Sequence, residues 1–348
     1  MAEHDGPEEP PAQKAETVEK APRRFPLRSW IKQGLAALVV LAIAQVLYIA
    51  FVVPEDQWHA ELRLADYDCH RGRVCTFKPH IDRVNTDANG ARYRVTTNGE
   101  GLRGRDHPVE KSDPATYRIA VFGSSPVFGL GVNDDETLPV QLARALAAEL
   151  PAAKLEVMNF GLPETYLLSE IDAYEAIGRA YRPDLVVFVQ PEAVRIRDMN
   201  WRVLQIHGSP FMQWLLKYSW GRRLVNRYQN AAMRVPGWVV ERVTPDLVRA
   251  RMQVFLDDQR ARGTDLLFYQ FWGDFDAITN VIPDGLRYGK ASEGASWEEF
   301  LRSELVIPRD GHPNAAGHRY YGARLAKVLV PRIAAAVDGS TGECAPAT

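Results

Sequence analysis

The sequence lacks the features that mark nucleic-acid-binding and nucleotide-binding proteins. Its 348 residues carry a formal net charge of -2, so the chain offers no strong positive field to a polyanion. Gly123, Gly129 and Gly131 do not follow the dinucleotide-binding spacing, and no Gly-Lys-Ser/Thr phosphate loop occurs in the sequence. We therefore expect no nucleic acid and no nucleotide as a partner, and the sequence indicates no cofactor.

Cysteine is scarce, with only Cys69, Cys75 and Cys344 in the chain. Cys69 and Cys75 lie six residues apart, a separation that allows a small disulfide-closed loop in an oxidising compartment. Two unpaired thiols are the alternative at these positions. A zinc site is less favoured, because only His70 and His80 lie nearby as further ligands. We expect no metal site.

Long apolar runs are absent except for residues 34–53. These twenty residues contain no charged side chain and only Gln45 as a strongly polar one. As a helix rising about 1.5 Å per residue, they are long enough to cross a hydrocarbon core of about 30 Å. A buried helix and a cleaved signal peptide are the alternatives. The length of the run and the lack of a clear small-x-small cleavage site favour an uncleaved signal anchor.

The charges on either side of this run predict its orientation. The preceding flank is basic, with Lys20, Arg23, Arg24, Arg28 and Lys32 and no acidic residue among them. The following flank is acidic, with only Arg63 opposing Glu55, Asp56, Glu61, Asp66 and Asp68. Basic flanks stay in the cytoplasm. We therefore expect a single-pass protein of the cytoplasmic membrane, with its N-terminus inside and its main domain in the periplasm or at the cell surface.

Composition and hydropathy divide the remainder of the chain into further segments. The predicted segments are a disordered cytoplasmic tail (1–33), the transmembrane anchor (34–53), a juxtamembrane module (54–115), a main domain (116–338) and a disordered C-terminal tail (339–348). Within the module, residues 91–97 alternate like a strand and residues 98–104 predict a turn and loop.

The main domain alternates short apolar runs with helical patterns. The predicted strands are 118–122, 155–159, 184–189 and 265–269, and the predicted helices are 136–150, 166–181 and 245–262. This alternation predicts an α/β fold, a three-layer α/β/α sandwich with a mainly parallel sheet. Residues 190–244 are too long for an ordinary connection. They predict a helical insertion or lid, since they contain aromatic residues that include Trp201, Phe211, Trp214, Tyr218, Trp220 and Trp238.

A serine turn follows the first predicted strand of the domain. In residues 119–132, IAVFGSSPVFGLGV, the strand enters a Gly-Ser-Ser turn and then a helix. A hydroxyl is thereby presented at the carboxyl end of a strand, where open α/β sheets bind their ligands. The backbone N–H groups of such a turn suit an oxyanion. Alternatively, the glycine and serines serve only the conformation or the cap of the helix.

A carboxylate and an imidazole lie close together near the other end of the domain. In residues 310–318, DGHPNAAGH, Asp310 precedes His312 by two residues on a loop that enters a predicted helix running to about Ala335. A hydroxyl nucleophile needs a base, and the base needs an orienting carboxylate. Ser125, His312 and Asp310 therefore form a candidate triad, whereas His318 lies inside the predicted helix and favours a structural role.

These segments, in this order, resemble the SGNH (GDSL-type) superfamily of serine esterases and acyltransferases. FGSSPVFGLGV is similar to the first block of that family, in which the nucleophile position falls on Ser125. NFG is similar to the second block, whose glycine, here Gly161, contributes an oxyanion-hole N–H. DGHPNAAGH is similar to the last block, which supplies Asp310 and His312. The resemblance covers about residues 90–335, and TTNGEGLRG upstream is similar to membrane-anchored bacterial members.

The chain departs from the family pattern at two blocks. Ser124 stands where the family usually has aspartate, and the third block reads QPEAVRIRD, without the asparagine that donates to the oxyanion. Gln190 is the nearest amide able to replace it. The predicted oxyanion donors are therefore the N–H groups of Ser125 and Gly161 and the Gln190 side chain. Losing one such donor typically slows catalysis about 100- to 1000-fold, or roughly 3 to 4 kcal/mol. Catalysis would be weakened but not abolished.

Two functions follow from the resemblance. The first is a membrane-anchored esterase, deacylase or O-acyltransferase that acts on acylated envelope glycans or lipids. The second is a catalytically degenerate protein of the same fold that binds a glycan or an assembly partner. Labelling of Ser125 by a serine-directed probe distinguishes the two.

Overall fold

The computed structural model describes the following parts of the chain: residues 27–51, 67–70, 74–87, 89–163, 165–189, 210–216, 218, 221, 224, 237–270, 282–288 and 304–337. The chain divides into two compact units, Met1–Tyr48 and Ile49–Thr348. Helix α1, Leu27–Phe51, contains most of the predicted anchor. Across the parts described, none of the helices combines the length and the apolar character that crossing a membrane requires.

The predicted juxtamembrane module contains two antiparallel hairpins. Strands β1 (Tyr67–His70) and β2 (Val74–Phe77) form the first, and β3 (Asp82–Thr86) and β4 (Arg92–Thr96) form the second. Strand β4 agrees with the strand predicted at 91–97. Strands β1 to β3 were missed because they are four or five residues long and carry mixed polar and apolar side chains.

The main domain is built on a parallel sheet of five strands in the order β6-β5-β7-β8-β9. The strands are β5 (Tyr117–Gly123), β6 (Leu155–Gly161), β7 (Leu185–Val189), β8 (Asp265–Tyr269) and β9 (Arg287–Tyr288). The first four agree with the predicted strands, and each of their pairings is parallel. Their carboxyl ends therefore lie along one edge of the sheet.

Helices cover both faces of this sheet. The α-helices that follow β5 in the described residues are α2 (Ser125–Phe128), α3 (Leu138–Glu149), α4 (Leu167–Ala176), α5 (Pro210–Leu216), α6 (Gly237–Arg262) and α7 (Ala315–Val337). Because successive strand residues point to opposite faces, Ile119 and Val121 pack with α3 and α7. Ala120 and Phe122 pack with α4 and α6. The predicted three-layer α/β/α arrangement is confirmed.

Two predicted helix bounds were wrong. Helix α6 begins at Gly237, inside the predicted insertion 190–244, and not at Pro245. The sequence favoured Pro245 because proline is common in the first turn of a helix, whereas here it lies in the interior. The second is the predicted helix 166–181. Helix α4 ends at Ala176, and a separate 3-10 helix spans Gly178–Tyr181. Within the insertion, α5 and the first residues of α6 are described, and Trp201 and Trp220 lie outside the described residues.

Candidate active site

The serine turn connects β5 to the short helix α2. Ser124 is extended and caps α2, and its carbonyl accepts the N–H groups of Val127 and Phe128 at 3.0 Å each. Ser125 is the first helical residue, directly beyond the carboxyl end of the strand. Glycine is required at 123, since a Cβ there would lie 2.4 Å from Val127 Cγ2 and 2.8 Å from the Val189 carbonyl oxygen. The turn therefore holds the Ser125 hydroxyl at the edge of the sheet.

The structure brings the three predicted triad residues together. Ser125 Oγ lies 2.8 Å from His312 Nε2, although the two residues are 187 positions apart in sequence. The other ring nitrogen of His312, Nδ1, is hydrogen-bonded to Asp310 Oδ1. The Asp310 carboxylate is 8 % exposed and the His312 ring 22 %, so solvent reaches the imidazole more than its carboxylate partner. This arrangement fits a nucleophile, its base and an orienting carboxylate.

Backbone hydrogen bonds hold the loop that carries His312. The His312 carbonyl accepts the Ile307 N–H at 2.8 Å, and the N–H groups of Asp310 and Gly311 donate to the Ile307 carbonyl. Asn314 then caps α7, because its Oδ1 accepts the Gly317 N–H at 3.0 Å. The imidazole is thus fixed at the entrance of a 23-residue helix.

The predicted oxyanion donor Gly161 is already hydrogen-bonded. Its N–H donates to Asn159 Oδ1 at 2.8 Å, and Asn159 Nδ2 donates to the Val127 carbonyl at 3.1 Å. The Asn159 amide therefore joins β6 to α2. In this conformation the asparagine two residues earlier accepts that N–H, and the role of Gly161 as an oxyanion donor stays a prediction. The sequence showed Asn159 beside the glycine but gave no sign of this bond.

The two other predicted donors are the Ser125 N–H and the Gln190 side chain. The Ser125 N–H opens α2, and within the described part of the chain it donates to no acceptor. Gln190 lies outside the described residues. The glycine at 161 also has a packing role. A Cβ at that position would lie 2.2 Å from the Phe128 backbone nitrogen, so only glycine allows β6 to contact α2 so closely.

A second histidine lies buried near the triad. His318 sits in α7 and is 1 % exposed. Neither of its ring nitrogens has a hydrogen-bond partner among the described residues. Burial, with a smaller contribution from the nearby Arg103 guanidinium, lowers the pKa of the His318 imidazole to about 3. The ring is therefore neutral at physiological pH, and it cannot relay a proton through a bonded neighbour.

Metal and disulfide predictions have separate outcomes. Within the part of the chain that the structure describes, no three His, Cys, Asp or Glu side chains are grouped to hold a metal ion. Cys75 is disulfide-bonded, and Cys69 lies opposite it in the β1–β2 register. These two observations support the Cys69–Cys75 pairing, which stays a prediction.

Three features lie at the carboxyl edge of the parallel sheet: the serine turn after β5, the glycine at the end of β6 and the Asp-His loop before α7. This is the arrangement that the sequence blocks implied. The fold is a three-layer α/β/α sandwich with the candidate site at the carboxyl edge of its parallel sheet. No protein-family model matches the chain, and no curated protein matches it.

Three solved structures are similar to this chain. TesA aligns with a TM-score of 0.35 at 15 % identity, over 62 % of this chain and 98 % of its own. A lipolytic protein of the G-D-S-L family from Desulfitobacterium hafniense aligns with a TM-score of 0.32 at 14 % identity, over 61 % and 99 %. LAE5, an alpha/beta hydrolase enzyme from the metagenome of Lake Arreo in Spain, aligns with a TM-score of 0.31 at 15 % identity, over 65 % and 97 %.

Proposed function

We propose that the protein is an SGNH-type serine hydrolase or O-acyltransferase that acts on acyl esters. The observation that carries the proposal is the 2.8 Å hydrogen bond between Ser125 Oγ and His312 Nε2, with Asp310 on the opposite ring nitrogen. A proton can pass directly between atoms at this distance. The order of the three groups is the one that serine acyl-transfer enzymes use.

The reaction would proceed through an acyl-enzyme. Ser125 Oγ attacks the acyl carbonyl carbon while its proton passes to His312 Nε2, and Asp310 stabilises the resulting imidazolium. The tetrahedral intermediate collapses, the ester C–O bond breaks, and His312 returns the proton to the departing alcohol. Water then attacks the acyl-serine in hydrolysis, or a second hydroxyl attacks it in acyl transfer. In both cases His312 takes the incoming proton and returns it to Ser125.

The oxyanion of this intermediate needs preorganised donors. The Ser125 N–H is one candidate, since it opens α2 beside the hydroxyl. Gly161 can serve only after its N–H leaves Asn159 Oδ1. We propose that the Asn159 carboxamide turns away when a substrate carbonyl enters. Gln190 remains a candidate donor on the sequence alone.

We further propose that the domain works outside the cytoplasmic membrane, anchored by residues 34–53, on acylated glycans or lipids of the envelope. The support for the anchor is the uncharged run itself, its basic preceding flank and its acidic following flank. Leu35, Leu38 and Leu41 on α1 are each more than 60 % exposed, an apolar surface that lipid would cover. Resistance to alkaline extraction, lost on deletion of residues 1–53, is the expected result. Release of the full chain by alkali would remove the anchor from the proposal.

A binding or assembly protein on the same fold is the second candidate. The occupied Gly161 N–H favours it, as does the loss of the third-block asparagine, because both reduce the donors available to an oxyanion. The cleft would then hold an acylated glycan or a protein partner without turnover. Binding of an acetylated glycan with no release of acetate would support this candidate.

Covalent labelling with a fluorophosphonate tests the choice. We expect the full chain to be labelled on Ser125, the Ser125→Ala variant to be unlabelled, and the Ser124→Ala variant to remain labelled. Ser124 is the matched control, because it is the adjacent serine and its side chain makes no cap hydrogen bond. A folded wild-type protein that stays unlabelled would refute the enzyme and leave the binding protein.

A further inference from the structure

A buried arginine from the predicted juxtamembrane module reaches the serine turn. Arg103 follows the loop 98–102, and its side chain is 1 % exposed. Its Nη1 donates to the carbonyls of Phe128, at 3.1 Å, and of Gly129. Its Nη2 donates to the Val132 carbonyl at 2.5 Å. Three carbonyls at the end of α2 and just beyond it thus converge on one guanidinium.

The rest of the guanidinium is fixed as well. Nε donates to Asp134 Oδ1 at 2.8 Å, and Nη2 also donates to the Arg94 carbonyl at 3.0 Å. The guanidinium carbon lies 5.0 Å from the centre of the Phe128 ring. A planar group with five fixed donors suits this cluster of carbonyls, whereas a lysine ammonium is a compact point charge. The position therefore requires arginine specifically.

The segment that Arg103 holds also contacts the loop that carries His312. Gly131 has a φ of +84°, and a Cβ there would lie 2.2 Å from Ile307 Cδ1. The Ile307 N–H in turn donates to the His312 carbonyl at 2.8 Å. A shift of residues 128–132 would thus move both the helix that begins with Ser125 and the loop that ends at His312.

Contacts within the module fix the loop that precedes Arg103. Asn98 Oδ1 accepts the Leu102 N–H at 2.9 Å, and Thr97 pairs with Arg103 in a β-bridge. Gly101, with a φ of +73°, brings the loop against β2, where a Cβ would lie 1.7 Å from the Phe77 carbonyl oxygen. Phe77 itself contacts the Phe128 ring, with centroids 5.2 Å apart. Residues outside the sheet domain therefore contact the serine helix from two directions.

We infer that Arg103 is a positioning residue for Ser125 and His312, and that residues 74–103 form part of the active site and are not a spacer. The inference rests on the proposed function for its kinetic consequence, but the geometry it describes exists whether or not the protein turns over an ester. A displacement of about 1 Å between reacting groups can cost on the order of 100-fold in rate. Loss of the guanidinium is expected to act in this way.

The chain supplies a matched control in Arg118. The Arg118 side chain is 0 % exposed and also joins carbonyls to a carboxylate. Its partners are Pro108, Val109, Tyr181 and Glu156. It lies near the amino end of β5, however, at the opposite edge of the sheet from Ser125. An arginine-to-lysine change therefore removes similar contacts at both positions, and only one of them holds the serine turn.

The experiment compares Arg103→Lys with Arg118→Lys in the full chain. For each variant we would measure the free energy of unfolding, kcat and KM on a small acetyl ester, and the rate of fluorophosphonate labelling. We expect both variants to lose stability. Arg103→Lys should lose roughly 10- to 100-fold in kcat with little change in KM, whereas Arg118→Lys should keep kcat within about twofold of the wild-type value. Equal kcat losses in the two variants, or an unchanged kcat in Arg103→Lys, would overturn the inference.

Hydrogen exchange separates this inference from the proposed function. If the wild-type protein neither hydrolyses esters nor labels, the proposed function fails, and exchange of the amides in residues 124–132 becomes the deciding measurement. Faster exchange there in Arg103→Lys, and not in Arg118→Lys, supports the positioning role; unchanged exchange refutes it. Should Arg103→Lys not fold, Asp134→Asn and Glu156→Gln form a second matched pair, since each keeps the arginine and removes the charge of its carboxylate partner.

Discussion

The two edges of the parallel sheet differ in that one of them holds a buried imidazole without a partner among the described residues. At the amino edge, charged side chains are paired, as in Arg118 with Glu156 and Lys111 with Asp184. At the carboxyl edge, where Ser125 and His312 lie, His318 keeps both ring nitrogens without a partner among the described residues. Satisfied polar groups stabilise, and unsatisfied ones cost free energy that natural proteins tolerate mainly where function requires it. The pairs at the amino edge therefore stabilise the fold, whereas the unpaired imidazole lies at the edge that carries the candidate site.

The largest effect is expected from a change at the carboxyl edge that leaves the fold intact. Asp310→Asn removes the carboxylate that holds His312 through Nδ1, so the imidazole loses its orientation and its tautomer. We expect ester hydrolysis to fall about 10³- to 10⁴-fold. The free energy of unfolding should change by no more than about 1 kcal/mol, which chemical denaturation would check. Wild-type turnover in this variant would remove Asp310 from the site.

The amino edge should show the reverse behaviour. Burial raises the pKa of the Glu156 carboxyl, but hydrogen bonds from His107 and Arg118 outweigh it, so the pKa lies below its usual value. Glu156→Gln leaves the Arg118 charge without its carboxylate partner. We expect a loss of about 3 kcal/mol in the free energy of unfolding and unchanged kcat at a temperature where the variant is folded. A fall in kcat without loss of stability would contradict the division between the edges.

A third change tests how tightly β6 contacts the serine helix. Gly161→Ala places a methyl group 2.2 Å from the backbone nitrogen of Phe128, which cannot rotate away as a side chain can. We expect a loss of up to about 3 kcal/mol in stability and a parallel loss of activity, since α2 must move. Gly285→Ala is the control, because none of the described residues lies within 4 Å of a Cβ there. Equal stability of the two variants would show that the contact is not close in solution.

The sequence predicted the sheet and the triad because both depend on local patterns. Strands β5 to β8 are short apolar runs, and burial on both faces requires such runs. Ser125 and His312 lie on turns at strand and helix ends, and in a parallel sheet those ends meet. A prediction from local pattern therefore became a prediction of three-dimensional contact.

Contacts between distant segments could not be predicted from the sequence. In the sequence Arg103 was only part of a glycine-rich loop, and its carbonyl partners in residues 128–132 are 25 to 29 residues away. The bond from the Gly161 N–H to Asn159 Oδ1 depends on a side-chain rotamer, which composition does not encode. Positions that hold an active site from outside are thus harder to predict than the reacting residues themselves.

The smallest effect concerns the unpaired imidazole at the carboxyl edge, and it depends on pH. Because the pKa of His318 is lowered from 6.5 to about 3 in the folded protein, the unfolded chain binds a proton below pH 6.5 that the folded chain does not. Stability is therefore fully present above pH 6.5 and is lost as the pH falls toward 3, by up to about 1.4 kcal/mol per pH unit. The difference between wild type and His318→Leu should shift by roughly 2 kcal/mol between pH 7 and pH 5, measured by urea denaturation at each pH. An unchanging difference would mean that the ring finds a partner in solution, and the contrast between the two edges would then lose its clearest example.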